Sequence, residues 1–144
     1  MRNEIIVRFC IWGFEDISHD EISKATGLTP NKIYIKGQKK NPRFSPLAKE
    51  NGWLFQPSDD PHLPFEDQFR LLLRIIEDNK SIFEVFCKKY YCEISCGLFI
   101  YFENDESTPS IHIDPEYHRI LGDLNIAFDV DIYCLPNSDE TITH

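Results

Sequence analysis

Alternation of apolar and polar positions marks out the strands of this chain. Over residues 125–135, Ile126, Phe128, Val130, Ile132 and Cys134 fall on one side of a two-residue period. Ala127, Asp129, Asp131, Tyr133 and Leu135 fall on the other. That is the pattern of a strand with one face in a core and the other more polar. Residues 4–12 repeat it, with Ile5, Val7, Phe9 and Ile11 set against Glu4, Ile6, Arg8, Cys10 and Trp12. The longest run is 91–103, where Cys92, Ile94, Cys96, Leu98, Ile100 and Phe102 oppose Glu93, Ser95, Gly97, Phe99 and Tyr101. Short alternations predict further strands at 32–36, 53–56 and 111–113.

Helical signals lie between these runs. Ser18 and Glu21 have capping-box spacing, enclosed by a hydrophobic staple of Ile17 and Ile22. Gly27 supplies a left-handed stop with Pro30 just beyond, so a helix is predicted over 19–26. After Pro64, the residues Phe65, Phe69, Leu72, Leu73 and Ile76 recur at helical spacing and predict a helix ending near 78–79. A second capping box, Ser81 with Glu84, predicts a restart that presents Phe83, Phe86 and Cys87. Asp114-Pro115 opens the last helix, expected to end near Leu124. Residues 37–52 shift to Lys, Asn, Pro and Ser and read as a long surface loop.

The resulting order is β-α-β-β-α-β followed by α-β. It predicts an α+β fold with a ferredoxin-like core and an added C-terminal α-β. The expected sheet is mixed, of about five strands, with the helices on one face. Residues 1–135 are expected to form one domain and 136–144 a flexible tail.

Charge divides the chain. Residues 1–50 carry nine Lys/Arg against six Asp/Glu, and residues 51–144 carry six against eighteen. The first part is thus +3 and the second −12, for a total of −9. A field of that sign disfavours nucleic acid and anionic membranes and suits a basic protein partner. Eleven Phe, six Tyr and two Trp favour a packed core over disorder. Four of the five cysteines (Cys10, Cys87, Cys92, Cys96 and Cys134) sit inside apolar patterns rather than in loops, which reads as reduced, buried thiols. The spacing Cys87-x4-Cys92-x3-Cys96 is not that of zinc ligands, so no metal or cofactor is expected. No apolar run reaches membrane-spanning length, and Glu4 and Arg8 interrupt what would otherwise resemble a signal peptide. The expected location is the cytoplasm.

Several segments resemble a bacterial family known only as domain-of-unknown-function family 4279. They are Gly27-Leu28-Thr29-Pro30-Asn31-Lys32 after a short helix, Lys36-Gly37, Trp53 after a glycine, and Asp129-Val130-Asp131-Ile132-Tyr133. The resemblance implies a small cytoplasmic α+β domain and carries no catalytic or binding residues with it.

The candidate chemistry lies on the second faces of the strands. If the apolar faces pack on helices, those second faces share one surface bearing Arg8, Trp12, Phe99, Tyr101, Asp129, Asp131 and Tyr133. Aromatics mixed with charge on an open sheet suit recognition. In the plainer alternative, the long loop or last helix covers this face and Arg8 pairs with Asp129 or Asp131. Lys36, Lys39, Lys40 and Arg43 form a basic loop, either a phosphate or acidic-partner patch or simply a solvated segment. Asp114 is spaced to pair with His118 across one helical turn. Metalloprotease, phosphate-loop and nucleophile-elbow motifs are all missing. A non-catalytic binding protein of immunity or inhibitor type is therefore expected. The alternative is a small-molecule-binding domain or enzyme using the same sheet face.

Overall fold

The computed structural model describes residues 1–137; the remainder of the expected tail, 138–144, lies outside the described residues. The elements run β1 (Glu4–Trp12), α1 (His19–Thr26), β2 (Lys32–Tyr34), β3 (Lys39–Asn41), β4 (Phe44–Leu47) and β5 (Gly52–Phe55). Then come α2 (Phe65–Asp78), α3 (Lys80–Lys89), β6 (Tyr91–Tyr101), α4 (Pro115–Asp123) and β7 (Ala127–Leu135). Five strands form one sheet in the order β2-β5-β1-β6-β7, and β3 pairs with β4 as a separate hairpin. β1 is antiparallel to both β5 and β6, β2 is antiparallel to β5, and β7 is parallel to β6. The fold is α+β, with a mixed five-strand sheet.

The apolar stripes of the helices meet the apolar faces of β1, β5 and β6. Ile22, Phe65, Phe69, Leu72, Leu73, Ile76, Phe83 and Phe86 pack with Val7, Phe9, Ile11, Trp53, Cys92, Ile94 and Cys96 in one buried cluster. Phe9 and Phe83 meet edge to face at 5.2 Å. The α1 signals act as the sequence predicts. Ser18 Oγ accepts from the Glu21 N–H at 3.1 Å, Glu21 Oε1 accepts from the Ser18 N–H, and Gly27 takes a left-handed φ of 71°.

One polar side chain completes the sheet. β5 pairs with β1 only from Phe9 onward, which leaves the first half of β1 without a strand neighbour on that side. Fully buried Gln68 of α2 fills the gap. Its Oε1 accepts from Val7 N–H at 3.3 Å, and its Nε2 donates to Ile5 O at 2.7 Å and to Leu63 O at 3.0 Å. The Ile5 N–H reaches Pro61 O at 2.8 Å. The main-chain groups of β1 thus find partners where β5 has ended, as buried peptide groups must.

Several expectations are corrected. The 37–52 segment is not all loop, because β3 and β4 form a short hairpin within it, turning at Pro42-Arg43. A strand pair without apolar alternation leaves no period-two signal to read. The Ser81–Glu84 capping box does not form. Asn79, at φ −125° and ψ 36°, is the break between α2 and α3, and its Nδ2 donates to Ile75 O at 3.1 Å. Residues 111–113 are not a strand. Asp114 accepts from His112 Nε2 at 2.9 Å instead of meeting His118.

β7 is less of a core strand than its alternation suggests. Ile126 is buried and the Phe128 ring lies against Phe65 and Phe69, both at 5.9 Å, but Ile132 is 62% exposed and Val130 and Cys134 are exposed too. The cause is length. Nine residues of α4 rise about 13 Å, whereas nine residues of strand extend about 30 Å, so the helix layer ends partway along the edge strand.

The open face of the sheet as candidate functional site

With the helices on one side, the even-numbered residues of β1 and the odd-numbered residues of β6 and β7 share the other face. Four of the residues expected there come together. Arg8, Phe99, Asp131 and Tyr133 surround a shallow depression of about 160 Å³ with Ile6, Ser95 and Gly97. Phe99 and Tyr133 occupy directly paired positions on β6 and β7, and their rings stack at 4.9 Å with 13° between planes. Gly97 forms the floor, since a Cβ there would stand 3.2 Å from the Phe99 ring. Arg8 Nε donates to Gln56 Oε1 at 3.3 Å, and Arg8 forms no ion pair with Asp129 or Asp131.

Trp12 and Asp129 belong to a neighbouring cluster. Trp12 stacks on Tyr34 at 5.6 Å and lies directly over Gly52, where a Cβ would come within 2.5 Å of the indole. The Trp12 Nε1–H donates to Glu93 Oε1 at 3.0 Å, and the Tyr91 hydroxyl donates to Glu93 Oε2 at 3.2 Å. Burial, together with a carboxyl–carboxyl hydrogen bond to Asp129, pushes Glu93 up to about 7. Cys10 lies beneath these side chains, 1% exposed, 3.7 Å from Ser95 Oγ, its thiol pushed up to about 12 by burial.

Tyr101 stands apart. It lines a separate hollow with Asn3, Phe102 and residues 103–106, and its N–H donates to Asn3 Oδ1 at 2.9 Å.

The cations expected as one basic loop are dispersed. Lys36 pairs with Glu15 at 2.6 Å. Lys39 is exposed on β3, and Arg43 sits at the hairpin turn, where its N–H donates to Asn41 Oδ1 at 3.0 Å. Lys40 reaches to 5.9 Å of the Tyr34 ring and Lys32 to 5.1 Å. Lys32 and Lys40 thus meet at one ring on the β2 edge, and the carboxylates Glu93, Asp129 and Asp131 lie toward the β7 edge. Among the described residues, no three or more His, Cys, Asp or Glu side chains gather as a metal site. No described helix is long and apolar enough to cross a membrane.

Sequence reasoning missed the part played by Glu93, Tyr34 and Gln56. Alternation alone assigns each a face within its own strand. Glu93 comes to Trp12 beside the β1–β6 pairing, Tyr34 comes to it through the pairing of β2 with β5 and of β5 with β1, and Gln56 comes to Arg8 just past the end of β5.

A sheet layered by helices on one side and carrying paired aromatics and carboxylates on the other defines an open-faced α+β domain. The model of the family described as "Domain of unknown function (DUF4279)" matches residues 3–135, and the chain belongs to that family. No curated protein and no solved structure matches it.

Proposed function

We propose that this chain is a non-catalytic recognition domain that binds a basic protein, in the manner of an immunity or inhibitor protein, on the open sheet face. The observation that carries the reading is the stacked Phe99–Tyr133 pair beside Asp131, on a face without helices. Stacked aromatics next to carboxylates offer rigid apolar area with charge for an arginine or lysine partner. A depression of about 160 Å³ is small against the several hundred Å³ usual for small-molecule sites, which favours a macromolecular surface. Five thiols, four of them buried, suit a reducing cytoplasm. The same reading takes β2-β5-β1-β6 as a ferredoxin-like core to which α4 and β7 are added. Antiparallel pairing throughout those four strands supports it.

The test is affinity capture from native lysate with wild type, Asp131→Lys and Tyr133→Ala, each at low and high salt. A partner lost with both variants and weakened by salt is expected. Capture that is indifferent to both variants overturns the reading.

A second reading, an enzyme or ligand-binding domain on this face, has one observation in its favour. Glu93 holds a raised pKa beside Asp129 and Tyr91, the kind of perturbation found in active sites. A thermal-shift screen over metabolites and metals tests it, and a flat result removes it.

A further inference from the structure

We infer that β7 is a self-association edge: two copies of the chain pair their β7 strands antiparallel and join their sheets into one. β7 is the last strand of the sheet, and among the described residues nothing pairs with its outer edge. Leu135 O accepts from Phe102 N–H at 3.0 Å, so Leu135 turns its carbonyl toward the β6 side. Main-chain groups alternate sides along a strand, so Phe128, Val130, Ile132 and Cys134 direct theirs outward. Nine residues run without Lys or Pro, and the two charges among them, Asp129 and Asp131, stand on the open face. On the helix side, Val130, Ile132 and Cys134 remain exposed, with Phe102 nearby on the β6 end.

A second copy fits this edge because the strand is nearly symmetric about Ile132. With Ile132 on the two-fold axis it faces its own counterpart, and each Val130 faces the opposite Cys134. All three pairs then exchange main-chain bonds. On the other face, each Asp131 lies opposite a Tyr133. Sliding the register one step toward the start of the strand sets Asp131 against Asp131. Sliding it the other way moves Pro136, which has no N–H, from opposite Phe128 at the end of the ladder to opposite Val130 within it. The favoured register leaves the two Asp131 residues as diagonal neighbours, their backbone positions about 7–8 Å apart. Added salt therefore strengthens the dimer, opposite to its effect on a basic partner held by the open face.

Sedimentation equilibrium across micromolar concentrations tests the inference on wild type, Ile132→Lys and Ile132→Pro. The proline variant removes one outward N–H and none that faces β6. A wild-type dimer is expected, with both variants weakened about tenfold or more and their circular dichroism unchanged. Spin labels on native Cys134 give a reading independent of any variant, with Cα atoms about 14 Å apart across the dimer. A wild-type chain that stays monomeric overturns the inference and leaves the edge to a strand from another protein. A dimer that survives both variants, or labels far beyond that separation, overturns it too.

Discussion

Glu93 is the residue whose surroundings do most to set its chemistry. Its folded value of about 7 stands above the ordinary 4.5, so the folded chain keeps a proton that the unfolded chain releases. The stability this provides is fully present below the unfolded value and is lost as pH rises through the folded one. Melting temperature is therefore expected to fall between about pH 5 and pH 8, and Glu93→Gln to flatten that decline. Gln keeps an acceptor for Trp12 Nε1, so the variant tests the proton rather than the hydrogen bond. The thiols give a second residue-scale test. Burial pushes Cys10 and Cys96 up to about 12, whereas Cys134 is exposed. A maleimide reagent at neutral pH is expected to label Cys134 alone in the native chain, as read by peptide mass spectrometry. Cys10 is buried although it sits on the mixed face of β1, and Cys87 lies on a helical stripe; Cys92 and Cys96 were legible because they sit in an apolar alternation. Cys134 shows the same pattern and is exposed, because alternation does not say where the covering helix stops.

At the scale of elements, local chemistry was the most legible part. Ser18, Glu21 and Gly27 fix α1 through bonds within a few residues, and its predicted bounds match those observed. The Ser81 prediction failed although its residue spacing was the same, because α2 runs on to Asp78 and Asn79 makes the break first. The roles of Gln68 and Gly52 depend on pairing across long sequence separations, which one sequence does not display. Gln68→Leu strands the buried Val7 N–H, at a cost of about 1–3 kcal/mol, and removes the donor from the half-buried Ile5 O and Leu63 O. A loss of about 3 kcal/mol in urea unfolding is expected, larger than for most single substitutions. Gly52→Ala drives a methyl into the Trp12 ring and is expected to cost about 1–3 kcal/mol and shift the tryptophan emission.

Over the whole molecule, the −12 of residues 51–144 becomes spatial as well as sequential. Acidic residues of β6 and β7 occupy one side of the open face, and cations of β2 and β3 lie at the other. The sequence separated the two groups but could not order the strands that carry them, since strand order is set by pairing between distant segments. The family match covers residues 3–135, so both sides of the face lie within the family's bounds. Gln68 has one more consequence, for the order of assembly. The start of the central strand is closed on one side by a helix, so that half of the sheet has no complete set of partners until α2 docks. Breathing of α2 away from the sheet should then release the Val7 amide to solvent together with the helix's own amides. Hydrogen exchange would show the strand's first half and α2 opening as one unit, while the β5-paired second half stays protected.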